Sequence, residues 1–291
     1  MTDMSIRKLP VGIQSFQVIR REGYLYVDKT DLVWELVHKG KKYNYLSRPR
    51  RFGKSVLVDT LQFYLEGKKE LFEGLRIMDL ENEWNCHPVI RLDMSGAGAD
   101  AESIKSCLNN AFRFYEKKYQ VEVSPEDSLA VRFDNIIKTA NKKTGLGVCI
   151  LIDEYDSPLQ HSWKTPEHEA CTAVYKAVFA ILKMDDQYEK FVFITGITKF
   201  TQISLFSVLN NLNNISFDAE YASICGITKQ ELTDYFIPEI EKLGKKEGWT
   251  IDEALDQLKA HYDGYHFSAD NMVDIFNPFS VINALSNSKL R

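Results

Sequence analysis

One short segment of the chain has the residue types that bind a nucleoside triphosphate. Gly53, Lys54 and Ser55 close the segment Leu46–Ser55, and a G-K-[ST] tripeptide supplies a lysine for the β- and γ-phosphates and a hydroxyl for Mg²⁺. The standard pattern G-x-x-x-x-G-K-[ST] has a glycine where this chain has Arg48. The sequence therefore predicts a phosphate-binding loop whose first glycine is replaced. The nucleotide-binding residues that we predict are Arg50, Phe52, Gly53, Lys54, Ser55 and Val56.

A second segment supplies the acids that hydrolysis of such a nucleotide requires. Five apolar residues, Val148–Ile152, come directly before Asp153 and Glu154. Such a run is typical of a strand buried on both faces, and parallel sheets bind ligands at the carboxyl ends of their strands. We expect Asp153 to hold Mg²⁺ and Glu154 to activate the attacking water. The alternative is that both acids only cap the turn after the strand.

These two segments belong to a series of strands that alternate with helices. Apolar spacing predicts an α/β fold, and together with the two motifs it indicates a RecA-like P-loop NTPase three-layer sandwich around a mostly parallel sheet. One strand separates the loop strand from the acidic strand along the chain, and a glutamate follows the aspartate, which indicates the additional-strand catalytic-glutamate (ASCE) class. The predicted strands are residues 41–47, 88–94, 148–153 and 190–195, with a fifth within 217–227, and the predicted core helices are residues 55–66, 101–119, 128–140 and 166–184.

The strand after the acidic strand carries one more candidate for the site. In the ASCE class this strand ends in a polar residue that senses the γ-phosphate, and Thr195 is our first candidate, with Thr198 as the second. The alternative is a threonine that bonds to neighbouring backbone in a turn at the end of the strand.

Composition limits the classes of partner. The 291 residues are 44% hydrophobic and carry a net charge of −5, which favours one large and one small domain without general attraction to nucleic acid. A basic run from Lys39 to Lys54 is the exception, and it has two interpretations, charge compensation for bound phosphates or a nucleic-acid surface. Five cysteines without a C-x-x-C pair indicate reduced thiols. No apolar run reaches about 18 residues, so we expect a cytoplasmic protein without a membrane segment, and the scattered histidines predict no metal site.

Several motifs together resemble a known family, the predicted AAA-ATPase-like proteins of bacteria and archaea. The resemblance extends from about residue 9 to 285 and includes the arginine in place of the first loop glycine. It implies an ASCE core related to STAND and AAA+ ATPases, with ATP and Mg²⁺ as ligands. The motifs that carry it are Leu9–Ile13, Tyr24–Thr30, Arg48–Ser55, Asp153–Asp156, Thr195–Thr198, His261–His266 and Asn277–Val281.

The resemblance also implies roles and partners. Phosphate binding is expected of Gly53, Lys54 and Ser55, and Mg²⁺ binding of Ser55 and Asp153. Glu154, Thr195 and Arg51 are the expected catalytic residues. Arg50 and Arg51 offset phosphate charge in their own chain or act on a neighbour's nucleotide in a homo-oligomer, and Asp156 orients one of them or caps the next turn. Full-length members often carry a PD-(D/E)xK nuclease-like domain after the ATPase, with nucleic acid as its partner, and we expect this chain to end about where that domain begins.

The remaining segments predict a three-part organisation. Residues 1–40 form an arm and helix beside the base, residues 41–226 the core, and residues 227–291 a helical lid that begins with the capping box Thr228–Glu231 and has a second helix at residues 251–262. For the cluster His261–His266, the alternatives are a reporter of nucleotide state and an aromatic turn that packs the lid on the core.

Two hypotheses for the function remain at this stage. The first is an Mg-dependent ATPase whose nucleotide state controls conformation or assembly. The second is a nucleotide-dependent binding, scaffold or sensor module with little turnover. Glu154 favours the first, and the missing glycine favours the second. A P-loop kinase is a less suitable third hypothesis, because the adjacent Asp153 and Glu154 suit water as the acceptor.

Overall fold

The central sheet has the strand order expected of the ASCE class. The computed structural model describes residues 7–197, 211–262, 264–268, 270 and 273–290. Five strands are ordered β2-β3-β4-β1-β5, and every neighbouring pair is parallel. Strand β4 lies between β1 and β3, which confirms the predicted additional strand. The strands are β1 (Tyr43–Ser47), β2 (Val89–Asp93), β3 (Val148–Asp153), β4 (Glu189–Gly196) and β5 (Asn213–Asn214).

Helices cover both faces of this sheet, which makes three layers. Alternation along β3 explains why, since Ile150 and Ile152 belong to one apolar cluster while Cys149 and Leu151 belong to the other. The first cluster includes α4 (Ala101–Tyr119), α5 (Leu129–Thr144), α7 (His168–Phe179) and α8 (Ile181–Met184). The second includes α1 (Phe16–Arg21), α2 (Thr30–His38) and α3 (Lys54–Leu65). The α/β sandwich is therefore confirmed.

The carboxyl-terminal part of the chain has an apolar core of its own. Four helices surround it, α9 (Lys229–Tyr235), α10 (Ile237–Glu247), α11 (Ile251–Tyr262) and α12 (Pro278–Asn287). A two-stranded antiparallel ribbon, β6 (Ile227–Thr228) with β7 (Ile275–Phe276), connects them to the core. We call the described residues of 227–290 the C-terminal unit. Leu25 and Val27 of the amino-terminal arm pack against this core.

Local sequence signals locate most of these elements. The predicted capping box is present, because Thr228 Oγ1 accepts from the Glu231 N–H at 3.1 Å and the Glu231 carboxylate accepts from the Thr228 N–H at 2.8 Å. The helix predicted at residues 251–262 is α11. The arm also forms the helix α2, whose apolar side joins the core cluster under α3.

Three expectations need correction. The fifth strand is not within 217–227; it is the two-residue strand β5, whose asparagines carry no apolar alternation that a sequence pattern could detect. The helix predicted at 166–184 is divided into α7 and α8 at Ala180. A short helix, α6 (Ser157–Ser162), follows three residues after β3 and is absent from the sequence prediction. Pro158 disguises it, because proline usually breaks a helix, but in the first turn of a helix proline is permitted.

Candidate functional site

The phosphate-binding loop has the backbone conformation that its glycine makes possible. Residues 48–53 connect β1 to α3, and Gly53, with φ of 89°, lies directly before the first residue of α3. This left-handed conformation favours glycine. Gly53 has no side chain to cap the helix, so the first N–H groups of α3 are open to an anion. Strand, loop and helix thus follow in the order that a phosphate site requires.

Lys54 is held across this loop. Its Nζ donates to the carbonyl oxygens of Arg48 at 3.0 Å and Pro49 at 3.1 Å. The side chain is buried, and burial lowers its pKa, while the acids Glu154 and Asp153 act in the opposite direction. The ammonium group is therefore bonded to neutral oxygens of the loop, which a phosphate oxygen can replace.

Asp153 and Thr195 meet at the carboxyl ends of β3 and β4. The Thr195 hydroxyl donates to Asp153 Oδ1 at 2.5 Å, and the Glu154 N–H donates to the same oxygen at 3.0 Å. The side chains of Asp153 and Thr195 are buried, at 2% and 0% exposure respectively. The Thr195 hydroxyl and the Glu154 N–H therefore both bond to one oxygen of the Asp153 carboxylate. Thr198, the second sensor candidate, lies outside the described residues.

Glu154 has the environment of a general base. Its φ of 49° is in the left-handed region, a conformation that costs a residue with a side chain about 1–2 kcal/mol and that the surrounding bonds must maintain. Burial raises the pKa of its carboxyl, Lys54 lowers it, and Asp153 raises it further. A carboxylate with a raised pKa beside a charged partner in a cleft is typical of a proton acceptor.

Asp156 has a positioning role at the end of β4. It is fully buried and accepts from the Ile197 N–H at 3.0 Å and from Gln160 Nε2 at 2.6 Å. A Cβ at Gly196 would lie 2.8 Å from Asp156 Oδ1, so this contact requires glycine at that position. Asp156 is the N-cap residue of α6, but its side chain makes no capping hydrogen bond there, so these bonds do not support the capping alternative.

A cavity of 490 Å³ connects the loop with the arm and the C-terminal unit. Every residue that the sequence predicted for nucleotide binding lines it, together with the predicted catalytic residues Arg51 and Glu154. Thr195 and Asp153 are not part of its wall. The lining residues of the arm are Pro10, Gly12, Ile13, Gln14, Ile19, Leu25, Tyr26, Val27 and Lys29, and those of the C-terminal unit are Ile227, Phe236, Pro278, Phe279 and Ile282.

The structure adds a residue that sequence reasoning missed, Lys29. Its Nζ lies 2.6 Å from Glu231 Oε1, and the side chain is buried in the cavity wall. Glu231 is the residue that completes the capping box of α9. The only local signal was a lysine two positions after the apolar residues 24–27, and its partner is 202 positions away.

The three arginines of the loop, Arg48, Arg50 and Arg51, lie in different environments. Arg48 is 1% exposed, and its guanidinium donates to the carbonyl oxygens of Ser216 at 2.7 Å and Tyr221 at 3.1 Å. The two Nη atoms thus bond to carbonyl oxygens, and the buried Nε has no hydrogen-bond partner within the described residues. These contacts differ from the phosphate compensation that one interpretation of the basic run assigns to Arg48. The Arg51 guanidinium lies 4.4 Å from the ring centroid of Phe279 in α12. Arg50 is exposed and lines the cavity.

The donor set suits Mg²⁺. The Ser55 hydroxyl and the Asp153 carboxylate are oxygen ligands, and Mg²⁺ usually takes only one or two protein oxygens and completes its shell with water and phosphate. No group of three or more histidines, cysteines and acids that would enclose an ion by itself occurs within the described residues.

Comparison with known proteins agrees with this geometry. The sequence model of the predicted AAA-ATPase family matches residues 10–206. The chain belongs to the predicted AAA-ATPase family. A protein of Azotobacter chroococcum mcd 1, described as "uncharacterized protein in vnfD 5'region", is 34% identical over 282 residues, which cover 96% of this chain and 52% of that protein. The chain therefore spans about half the length of the curated relative it matches.

A search of solved structures returned the crystal structure of Cdc6p from Pyrobaculum aerophilum. It is 12% identical with a TM-score of 0.31, and the match covers 70% of this chain and 45% of Cdc6p. Family membership and the strand order together make the chain a P-loop ATPase-like module. None of the helices in the described ranges is long and apolar enough to span a membrane.

Proposed function

We propose that this chain binds Mg-ATP and hydrolyses it, and that its nucleotide state controls a conformational change or assembly. One observation carries the proposal: Lys54 and Glu154 line one cavity at the carboxyl edge of the sheet, and directly behind Glu154 the Asp153 carboxylate is bonded to Thr195. Phosphate loop, metal ligand and base are the three parts that phosphoryl transfer to water needs.

In this proposal each residue of the site has its own role in binding the nucleotide. Lys54 exchanges the carbonyl oxygens of Arg48 and Pro49 for β- and γ-phosphate oxygens, and the N–H groups at the start of α3 bind the same phosphates. Ser55 and Asp153 hold Mg²⁺, which neutralises the charge that develops on the phosphates.

Glu154 accepts the proton of the attacking water. The water oxygen bonds to the γ-phosphorus, the bond from that phosphorus to the β–γ bridging oxygen breaks, and ADP and inorganic phosphate leave. The raised pKa of Glu154 makes its carboxylate a stronger base than an exposed glutamate. Thr195 keeps Asp153 in place through their hydrogen bond and is our candidate for sensing the γ-phosphate.

Arg51 has a conditional role in this proposal. Its guanidinium lies on the ring of Phe279, so catalysis by Arg51 requires it to leave that ring for the γ-phosphate of its own chain or of a neighbour. Arg50 is exposed at the cavity, and its proposed role is to offset the charge of the phosphates.

The wider organisation is part of the proposal. Residues 1–40 act as the arm, 41–226 as the ATPase core and 227–291 as a lid that closes on the nucleotide, since all three parts contribute to the wall of one cavity. A homo-oligomer and a following nuclease-like domain with nucleic acid as its partner remain predictions from the resemblance. A cytoplasmic location remains a prediction from the cysteine pattern and the apolar run lengths.

A second candidate is a module that holds ATP with little turnover. The observation that favours it is the anchored loop, in which Arg48 is buried and Arg51 is stacked on the C-terminal unit. A loop held this firmly slows the exchange of nucleotide and product.

The deciding experiment measures nucleotide binding and phosphate release by the whole chain with Mg-ATP, Mg-GTP and ATP plus EDTA. We expect binding and release with Mg-ATP and loss of both in Lys54→Ala, while Lys42→Ala, a lysine at the opposite edge of the sheet, behaves as the native chain. Binding without release supports the second candidate. Absence of binding to either nucleotide would contradict both.

A further inference from the structure

The start of the phosphate loop is anchored to the C-terminal unit. The Arg48 guanidinium lies 3.9 Å from the ring centroid of Phe267, and its Nη atoms donate to carbonyl oxygens of Ser216 and Tyr221. Arg48 makes no ion pair within the described residues, so a ring face and neutral oxygens stabilise a buried cation. Such contacts contribute most where water is excluded, and Phe267 is 8% exposed.

Phe52 strengthens the same connection. It is fully buried directly before Gly53, with ring centroids 4.7 Å from Tyr265 and 5.5 Å from Phe267, in both cases edge to face. It shares a small apolar cluster with Ile275 of β7. We call Arg48, Phe52, Tyr265 and Phe267 the loop junction. It is separate from the ring contact of Arg51 with Phe279, which lies on α12.

Gly226 shows how closely the two parts approach at this point. Its φ is +94°, and an added Cβ would lie 2.2 Å from Ile275 Cγ2 and 3.3 Å from Phe52 Cε1. A larger residue there would separate β6 from β7 or displace the Phe52 ring. The packing that surrounds the junction therefore depends on a bare backbone at position 226.

The two sides of the junction supply different chemistry. The sequence from 227 to 290 contains no arginine, so the guanidinium of the junction comes from the loop, while the ring that it contacts, Phe267, comes from the C-terminal unit. An exchange of Arg48 for the standard glycine would remove the whole contact with Phe267. The replacement of glycine by Arg48 therefore adds a contact with Phe267 and at the same time removes the flexibility of a glycine.

Arg48 also connects this anchor to Lys54. Its side chain is fixed by Phe267, while its carbonyl oxygen accepts from Lys54 Nζ at 3.0 Å. A displacement of the C-terminal unit would move the Arg48 backbone and, with it, the oxygen that holds the lysine.

We propose that Arg48 is a positioning residue that makes nucleotide binding by the loop depend on docking of the C-terminal unit through Phe267. This inference rests on the proposed function, because it concerns regulation of the same site. Since such a linkage is reciprocal, bound nucleotide in turn stabilises the docked arrangement. A loop with glycine at position 48 would bind phosphate whether or not the unit is docked.

The test uses the whole chain and a small set of variants. Phe267→Leu removes the ring and keeps the apolar volume, Phe267→Tyr keeps the ring, and Arg48→Lys keeps the charge without the planar guanidinium. Phe114→Leu, at a ring that is 62% exposed on α4, is the matched control. The two measurements are hydrogen exchange of the amides of residues 50–55 without nucleotide, and kcat and KM for Mg-ATP.

We expect Phe267→Leu and Arg48→Lys to raise exchange of the loop amides and to raise KM about tenfold, equivalent to about 1.4 kcal/mol, with kcat within about twofold of the native value. Phe267→Tyr and Phe114→Leu should behave as the native chain. In an Arg48→Gly background, the effect of Phe267→Leu on KM should shrink, since the partner of the ring is already gone.

The inference is overturned if folded Phe267→Leu has native loop exchange and native KM, or if loop exchange rises while KM stays native, because the ring would then have a structural role only. Additive effects of Phe267→Leu and Arg48→Gly on KM would also overturn it. Failure of the native chain to bind nucleotide is a different result: it contradicts the proposed function, while exchange without nucleotide still decides whether Phe267 anchors the loop.

Discussion

The two edges of the central sheet both bury carboxylates, and only one of them has the features of a site. At the carboxyl edge, Asp153 and Glu154 lie beside Lys54 and the open start of α3. At the amino edge, Asp185 and Glu189 are buried to 2% and 5% exposure, and burial raises their pKa values to about 6 and about 8. Large pKa shifts therefore occur at the amino edge, which has no phosphate loop.

The surroundings explain this difference. The Tyr43 hydroxyl donates to Glu189 Oε2 at 2.6 Å, and Lys138 Nζ lies 3.6 Å from Asp185 Oδ1, so one oxygen of each amino-edge acid has a partner from a neighbouring side chain. The carboxyl edge instead has backbone N–H groups directed at a cavity. A raised pKa is thus a weak indicator of function by itself, and the exposed ends of strands and helices are the stronger one.

The largest expected difference concerns the two glutamates. Glu154→Gln removes the proposed base and should lower kcat for phosphate release by a factor on the order of 10²–10⁴, while ATP affinity is retained. Glu189→Gln removes a more deeply buried acid at the other edge and should leave kcat unchanged. Both are measured by phosphate release at saturating Mg-ATP and pH 7. Equal losses in the two variants would remove the functional distinction between the edges.

The aspartates provide the next comparison. Asp153→Asn removes one charge from the proposed Mg²⁺ ligands, and we expect the Mg²⁺ concentration for half-maximal phosphate release to rise about tenfold, equivalent to about 1.4 kcal/mol. Asp185→Asn, at the amino edge, serves as the control and should leave that concentration as it is. A Mg²⁺ dependence that is identical in the native chain and in Asp153→Asn would exclude Asp153 as a ligand.

The hydroxyl groups that bond to these acids provide a further comparison. Thr195→Val removes the donor to Asp153 Oδ1, and the loss of a hydrogen bond to a charged group, about 1.5–3 kcal/mol, should lower kcat/KM roughly tenfold or more. Tyr43→Phe removes the donor to Glu189 and should reduce the melting temperature only. If Thr195→Val retains native kcat/KM, the threonine merely bonds to its neighbours at the end of the strand.

The smallest expected effect is on stability as a function of pH. The pKa of Glu189 is raised from 4.5 to about 8, so the folded chain binds this proton more tightly than the unfolded chain. Its contribution to stability is complete below pH 4.5 and is lost as pH rises through about 8. We therefore expect the melting temperature to fall across this window and to fall less in Glu189→Gln. Glu122→Gln, on the surface, is the control, and equal slopes in all three proteins would contradict the assignment.

Local sequence signals predicted the parts of the site that backbone geometry dictates. Gly53 permits a left-handed turn, Lys54 and Ser55 open a helix, and the apolar run before Asp153 requires a strand buried on both faces. The parallel order in which β4 separates β1 from β3 also agrees with prediction. The two-residue strand β5 was located wrongly, because two asparagines form no apolar alternation.

Contacts between distant parts of the chain could not be predicted in the same way. Lys29 and Glu231 are 202 positions apart, and Tyr43 and Glu189 are 146 apart. Each of these residues is compatible with an exposed position when it is considered alone. Only packing of the arm and the strands brings the partners within hydrogen-bonding distance.

The sequence by itself therefore determined the α/β fold, the phosphate loop and the acidic strand end, since periodicity and glycine conformation are properties of a few neighbouring residues. Only the tertiary structure shows which groups Arg48, the residue in place of the first loop glycine, contacts. Arg48 looks in the sequence like a cation for phosphate, but the fold surrounds it with carbonyl oxygens and the ring of Phe267. The reason is burial: a guanidinium inside the core must be satisfied by whatever the distant chain brings to it.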